Sequence, residues 1–242
     1  HVILDQPEFI SKIKTGLDYV NNNDALLTLG IKPSRPDTGY GYIQYIETDD
    51  PIKKVKTFTE KPNLELAETF LKSGDFLWNS GMFLWNLRSI QIALDQHVPD
   101  ISELFVNGKE HYFKKTESEY IQNAYSQCKN ISIDYGVMEK SSNVFVLPSD
   151  FGWSDLGTWK SLYETKNKDE NNNVIDAKVL LSNTKNSMIK ADADNLIVLN
   201  GLDDVIVVQH EGVVMVCKKE DEQKVKHFVT DIKQNKNLNK YS

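Results

Sequence analysis

The stretch at residues 167–173 contains no apolar residue and separates two parts of the chain with different hydrophobic patterns. Before it, strand-like segments alternate with segments of helical spacing. Beyond it, short β-branched segments recur every ~8–10 residues between turn residues. We therefore expect an α/β unit at residues 1–166, a linker at 167–173, and a β-rich unit with a terminal helix at 174–242.

The first part predicts a layered fold. Apolar residues at helical spacing after Pro7 predict a helix that ends near Val20. Residues 25–29 predict a buried strand, and residues 76–85 are too apolar and aromatic for a surface loop, so they predict a central strand. Interleaved strands and helices favour an α/β fold with a mixed, mostly parallel sheet. The short strands of the second part are typical of a sandwich or a β-solenoid.

Charge and composition exclude several classes of function. The 28 Lys and Arg residues against 35 Asp and Glu give a net charge of −7, so neither nucleic acid nor an anionic membrane is an expected partner. No apolar run reaches the roughly 20 residues that span a bilayer. The two cysteines, Cys128 and Cys217, make neither a disulfide framework nor a zinc site, which favours the cytoplasm. No Ser-His-Asp or Cys-His arrangement indicates a hydrolytic nucleophile.

Two stretches beside predicted strands combine turn residues with polar groups. Gly39 and Gly41 flank a strand, where glycine marks either a bulge or a place where another group approaches the backbone. Glu60 and Lys61 end the strand at 52–59. They form either a solvated charge pair or a site in which Glu60 binds sugar hydroxyls and Lys61 binds phosphate.

Two further stretches place polar residues beside apolar ones. Asn79 lies inside an apolar strand, and burial of an unpaired amide costs about 1–3 kcal/mol, so it either satisfies a neighbouring backbone group or faces a polar ligand. Ser132 and Asp134 occupy the cap and first turn of a predicted helix at 134–140, which helix capping alone explains.

Residues 151–159 are the most unusual stretch, because two tryptophans and two glycines lie around the single carboxylate of Asp155. Helix capping by Ser154 or Asp155 is one explanation. The other is a ligand site, because α/β enzymes place ligands at the carboxyl ends of strands. A hard cation such as Mg²⁺ prefers carboxylate oxygen.

Together these stretches resemble the bacterial mannose-1-phosphate guanylyltransferases, also called GDP-mannose pyrophosphorylases. The likeness also extends to residues 204–208 in the β-rich part. The matching segments, in order, are residues 29–33, 35–43, 58–62, 78–83, 132–140 and 153–159.

The resemblance implies a Rossmann-like nucleotidyltransferase sheet with helices on both faces and a small C-terminal left-handed β-helix-like unit. The implied reaction joins GTP to α-mannose 1-phosphate and releases pyrophosphate. By resemblance, Asp155 is a catalytic residue and one of two carboxylates that hold Mg²⁺. Lys61 faces the sugar phosphate as a second catalytic residue. The implied sugar site comprises the backbone at Gly41 and the side chains of Glu60, Asn79 and Asp134.

The chain also departs from the family pattern. The glycine-rich phosphate loop and the second metal-binding aspartate precede the segment at which this chain begins, His1. We therefore expect a chain that lacks the N-terminal segment and is inactive alone. The alternatives are a non-catalytic sugar-phosphate-binding homologue and an enzyme for another base or sugar. Exposed strand edges in the β-rich part also predict a homodimer.

Overall fold

We describe residues 1–241 of the protein from a computed structural model. Ser242, the last residue of the expected β-rich unit, lies outside the described residues. The contacts divide the chain into two compact units. Ile3–Trp153 form one, called the N-terminal unit below, and His1–Val2 group with the residues from Ser154 onward in the C-terminal unit.

The N-terminal unit contains one sheet whose strands pair in the order β2-β5-β3-β4-β6, closed by β6 beside β2. Up to residue 149 the elements are β1 (Val2–Ile3), α1 (Gln6–Asn22), β2 (Leu26–Ile31), β3 (Tyr42–Tyr45), β4 (Lys53–Thr59), α2 (Leu64–Ser73), β5 (Phe76–Leu84), α3 (Leu87–His97), α4 (Pro99–Val106), a 3-10 turn (Asn107–Glu110), α5 (Glu117–Gln127), a π-helical turn (Asp134–Met138) and β6 (Val144–Ser149).

Strand direction differs from the expectation. β2 and β6 run parallel, whereas the other neighbouring pairs are antiparallel. The mixed α/β sheet is thus confirmed, and the expected parallel majority is wrong. A continuous apolar strand shows that both of its faces are buried, and an antiparallel strand covered on both faces produces the same pattern.

Helices cover both faces of the sheet, as expected. Successive side chains of a strand point to opposite faces. Leu27 of β2 therefore packs in a cluster with Val20 of α1, and its neighbour Leu26 packs in a second cluster with Ile90 of α3. The described residues thus form two apolar layers, one on each side of β2.

The individual helices follow local signals. Asp5 caps α1, and Gly74, with φ of 79°, ends α2. The helix expected at 134–140 is only one π-helical turn, in which the N–H of Glu139 donates to the C=O of Asp134 over 3.0 Å. The helix α4 was not predicted.

The C-terminal unit is β-helix-like. β8, β10 and β12 stack in parallel, β13 adds antiparallel to β12, and β9 pairs in parallel with β11 in a second sheet. Of the two architectures predicted for this part, the parallel stack fits the β-solenoid and excludes the sandwich. From residue 153 onward the elements are β7 (Trp153–Ser154), α6 (Trp159–Thr165), β8 (Val174–Asp176), β9 (Lys178–Ser182), β10 (Met188–Ala191), β11 (Leu196–Asn200), β12 (Val205–His210), β13 (Val213–Lys218), α7 (Val225–Gln234) and 3-10 turns at Lys219–Lys224 and Asn239–Tyr241.

Residues 167–173 form an ordered polar turn. Asn173 is buried, and Asp169 accepts its backbone N–H over 2.7 Å. Trp159 and Leu162 of α6 pack on the apolar cluster of this unit, which groups α6 with the β-strands. None of the helices within residues 1–241 is long and apolar enough to cross a bilayer.

Candidate functional site

The structure brings together five of the six predicted site residues in the N-terminal unit. They lie at the adjoining ends of β3, β4 and β5 and in the π-helical turn. The N–H of Asn79 donates to the C=O of Gly41 over 2.8 Å. A Cβ atom on Gly41 would collide with the carboxylate of Glu60, so of the two explanations given for this glycine the structure shows a close approach, made by Glu60. Lys61 is ion-paired with Glu60, and Asp134 is bonded to Asn79.

Asn79 organises the cluster. Its Oδ1 accepts the hydroxyl of Thr28 over 3.0 Å and the N–H of Gly81 over 3.1 Å. Its Nδ2 donates to Oδ1 of Asp134 over 2.9 Å. A side-chain amide has two N–H donors, and one of them has no bond to the described residues. The amide is thus held by its acceptor side while one donor remains for a ligand.

The Glu60–Lys61 pair is half buried. The side chain of Glu60 is 7% exposed and that of Lys61 is 50% exposed. Burial raises the pKa of Glu60, and Asp134 and Glu139 raise it further, although Lys61 acts in the opposite direction. The pKa of Lys61 is raised because it donates to Glu60. The carboxylate is therefore in a negative, partly dry environment, and the ammonium group can reach solvent.

The loop that leads to Gly41 is held by charges and rings. Arg35 is ion-paired with Asp37 over 2.8 Å, and its guanidinium lies 5.1 Å from the ring centre of Trp78. Asp37 also accepts the N–H of Gly39 over 2.8 Å. Tyr40 packs edge-on against Trp78, with 5.0 Å between ring centres. These contacts fix the backbone where it approaches Glu60.

Asp155, the predicted metal ligand, lies in the C-terminal unit directly after β7. Its Oδ1 accepts the N–H of Gly157 over 3.0 Å. Thr158 caps α6 and forms a capping box with Ser161. Helix capping by Ser154 or Asp155 is therefore wrong as an explanation of this carboxylate.

The chemistry of Asp155 fits a shared Mg²⁺ ligand. Mg²⁺ is commonly held by one or two carboxylates together with waters and substrate phosphates, rather than by an all-protein cage. Within residues 1–241 no group of three or more His, Cys, Asp or Glu side chains could hold a metal. A single carboxylate such as that of Asp155 is the kind of protein ligand that a site completed by waters and phosphates uses.

Sequence reasoning missed two residues of the cluster. Thr28 is fully buried in β2 and orients Asn79. Glu139 accepts the N–H of Glu60 over 3.2 Å. The hydroxyl inside the apolar segment at 26–31 was an available signal for Thr28, since a buried polar group needs a partner. Glu139 lay inside a predicted helix and gave no such signal.

Residues 3–172 match the nucleotidyl transferase family. The chain belongs to this family. Residues 177–232 match a second family, described as the MannoseP isomerase/GMP-like beta-helix domain, which agrees with the parallel stack of β8, β10 and β12. The chain thus combines a nucleotidyl transferase sheet with a following β-helix-like unit.

Several curated relatives are named mannose-1-phosphate guanylyltransferase. The mannose-1-phosphate guanylyltransferase of Klebsiella pneumoniae is 35% identical over 97% of this chain and 50% of its own length. That of Salmonella montevideo is 37% identical over 96% of the chain and 50% of its own length. The alginate biosynthesis protein AlgA of Pseudomonas aeruginosa is 34% identical over 96% of this chain and 49% of its own length. The chain spans about half the length of these relatives.

Two solved structures are similar to this nucleotidyl transferase. One, titled mannose-1-phosphate geranyltransferase and from Thermus thermophilus, has a TM-score of 0.82 and 25% identity and covers 96% of this chain and 67% of its own. The other, mannose-6-phosphate isomerase from Helicobacter pylori, has a TM-score of 0.53 and 28% identity and covers 64% of this chain and 60% of its own.

Proposed function

We propose that this chain binds the sugar phosphate in a mannose-1-phosphate guanylyltransferase, which makes GDP-mannose and pyrophosphate from GTP and α-mannose 1-phosphate. The observation that carries the proposal is the cluster of a glycine backbone, an amide, a lysine and carboxylates around Asn79. Carboxylates and amides bond sugar hydroxyls, and a lysine binds phosphate as a point charge. The names of the relatives supply the sugar and the nucleotide.

Each residue of the cluster has a distinct role in this proposal. Glu60 and Asp134 accept mannose hydroxyls, and Asn79 donates its remaining N–H to a sugar oxygen. The absence of a side chain at Gly41 lets the sugar approach the backbone. Lys61 is half exposed and turns from Glu60 to the phosphate of the substrate.

The reaction needs positioning more than acid–base chemistry. A phosphate oxygen of mannose 1-phosphate attacks the α-phosphorus of GTP, a new P–O bond forms, and the bond to the leaving pyrophosphate breaks. The attacking oxygen is already anionic, so no side chain must remove a proton. In-line placement and neutralisation of phosphate charge remain for the protein to supply.

We assign Asp155 as a Mg²⁺ ligand in this function. The metal, when bound, neutralises charge on the reacting phosphates. The N–H of Gly157 donates to Oδ1 of Asp155, and this bond helps to fix the direction of the carboxylate.

Calorimetric titration of the chain with mannose 1-phosphate tests the proposal, with glucose 1-phosphate as the matched control. We expect binding of mannose 1-phosphate, weaker binding of its epimer, and a loss of about tenfold in Glu60→Gln. Glu68→Gln is the control variant, because Glu68 is an exposed acid on α2.

The outcomes separate the alternatives. No heat with either sugar phosphate would reject the sugar-phosphate site. Equal affinity for both would favour another sugar. Pyrophosphate release in the presence of GTP and Mg²⁺ that requires Asp155 would support the full reaction, whereas binding without release agrees both with the expected inactivity of this chain alone and with the non-catalytic alternative.

A further inference from the structure

The π-helical turn of the N-terminal unit contacts both strands that flank β3. At its start, Oδ1 of Asp134 accepts a hydrogen bond from Nδ2 of Asn79 in β5 over 2.9 Å. Directly after its end, Oε1 of Glu139 accepts the N–H of Glu60, which follows β4, over 3.2 Å. In the sheet β3 lies between β5 and β4, and Gly41 directly precedes β3. The two carboxylates of the turn therefore bind on either side of the glycine at which we place the sugar.

The π-helical geometry explains how one short segment reaches both strands. The N–H of Glu139 donates to the C=O of Asp134, five residues earlier, over 3.0 Å. In a π-helix such a bond closes roughly one turn, so the two side chains leave the segment on nearly the same side. In an α-helix, with 3.6 residues per turn, the same two side chains would point about 140° apart. The turn, of a kind that is rare and frequent at functional sites, thus lets both carboxylates face the sugar site.

The middle of this turn is fixed in the core of the N-terminal unit. Val137 and Met138 are fully buried. A Cβ atom on Gly136 would lie only 3.3 Å from Cγ1 of Val98, so the turn packs closely on the residue that joins α3 to α4. Protein interiors are close-packed and leave little space for such a segment to shift. The carboxylates at the two ends are therefore presented by a rigid backbone.

The backbone at Lys61 depends on the bond from Glu60 to Glu139. Lys61 has φ of 49°, in the left-handed region that residues with a Cβ atom seldom adopt. Such a strained conformation persists only where the surrounding bonds hold the chain. The N–H of Lys61 donates to the C=O of Tyr40 over 3.3 Å, and the preceding N–H, that of Glu60, donates to Glu139. Both bonds hold the chain where the strain occurs.

We propose that Glu139 is a positioning residue of the sugar-phosphate site. Its bond to the N–H of Glu60 holds the chain so that Lys61 keeps the left-handed conformation from which its ammonium group reaches the phosphate. This inference rests on the function proposed above, in which Lys61 binds the phosphate of the substrate. Glu139 acts on the ligand through the backbone at Glu60 and Lys61.

Titration calorimetry with mannose 1-phosphate tests this role in two variants. Glu139→Leu removes both the acceptor and the charge, and we expect its affinity to fall about fivefold. Glu139→Gln keeps an acceptor oxygen and removes a negative charge near the phosphate, so it should bind at least as tightly as the wild type. Glu119→Leu is the matched control, because Glu119 is an exposed acid on α5 of the same unit, and its affinity should not change.

A double-mutant cycle shows whether Glu139 acts through Lys61. Lys61→Met removes the ammonium group and keeps a long unbranched side chain. If Glu139 positions this ammonium group, Glu139→Leu should weaken binding by less than about twofold in the Lys61→Met background. Amide hydrogen exchange measured by NMR should also become faster at the N–H of Glu60 in Glu139→Leu, but not in Glu139→Gln. A fivefold loss in both backgrounds, or unchanged exchange in Glu139→Leu, would overturn the inference.

The remaining outcomes separate this inference from the proposed function. A wild type that does not bind mannose 1-phosphate rejects the proposed function and this inference with it. A wild type that binds, together with a Glu139→Leu variant that binds equally well, overturns the inference alone. Equal losses in Glu139→Leu and Glu139→Gln would also overturn it, because the charge and not the hydrogen bond would then matter. Circular dichroism of each variant verifies that the chain has folded.

Discussion

Asn79 and Asn173 are both buried asparagines, but their hydrogen bonds differ. Oδ1 of Asn173 accepts the N–H of Ser187 over 3.0 Å, and its Nδ2 donates to the C=O of Thr184 over 2.9 Å and to Asp169 over 3.1 Å. Both amide donors are thus used within the C-terminal unit. Asn79 keeps one donor and stands among carboxylates. A buried amide whose donors are all used stabilises a fold, whereas one with a spare donor beside charges is suited to a ligand.

The largest effect should come from Asn173→Ala. It leaves the C=O of Thr184 and the N–H of Ser187 unpaired in buried positions, so the free energy of unfolding should fall by about 3 kcal/mol. Urea unfolding followed by circular dichroism measures this. The affinity for mannose 1-phosphate should not change. Asn171→Ala is the control, because the side chain of Asn171 is exposed; an equal loss in both variants would contradict a structural role specific to Asn173.

Whereas Asn173→Ala should weaken the fold, Asn79→Ala should weaken the binding of the sugar phosphate. It removes the spare donor and the bond to Asp134, so the affinity for mannose 1-phosphate should fall by at least about tenfold, or about 1.4 kcal/mol. Titration calorimetry measures the loss. One result would contradict the comparison between the two asparagines. In that result Asn79→Ala strongly destabilises the N-terminal unit, but the folded variant binds the sugar phosphate as tightly as the wild type does.

Thr28→Val sharpens the comparison, because it removes the hydroxyl that orients Asn79; this hydroxyl also lies 3.3 Å from the C=O of Met82. Valine has nearly the same shape as threonine but cannot donate to Oδ1, so the amide loses one of the bonds that fix its direction. We expect a several-fold loss of affinity and about 1 kcal/mol of stability. Thr28→Ser keeps the hydroxyl and should recover most of the affinity; equal losses in both variants would show that packing, not the hydrogen bond, matters.

The two asparagines also show what sequence can and cannot predict. The apolar neighbours of Asn79 placed it in a strand, but its partners Thr28 and Asp134 are 51 and 55 positions away, so the choice between backbone and ligand depended on tertiary contacts. Asn173 lies in a stretch without apolar residues, which predicted a linker. Its burial depends on Ser187 of the next turn of the β-helix-like unit. The apolar pattern of β5 likewise did not indicate whether this strand runs parallel or antiparallel to its neighbours.

A smaller effect should appear in the pH dependence of stability. Burial raises the pKa of Glu60 above its unfolded value of 4.5. The contribution of Glu60 to the free energy of unfolding is therefore fully present below pH 4.5, and it is lost as the pH rises through the pKa of Glu60 in the folded protein. Glu60→Gln removes this loss, so its unfolding free energy should vary less with pH above 4.5 than that of the wild type. Parallel curves for the two proteins would contradict the raised pKa.

The smallest effect should come from an exposed pair at the end of β12. Nδ1 of His210 lies 2.8 Å from Oδ1 of Asp192, which raises the pKa of the imidazole above 6.5. Its contribution to stability is present below pH 6.5 and is lost as the pH rises through the folded pKa. Because both side chains reach solvent, the change in stability should be slight. An NMR titration of the imidazole should show a lower midpoint in Asp192→Asn, in which the side-chain oxygen remains but the charge is removed; an unchanged midpoint would show that the charge of Asp192 does not hold the proton.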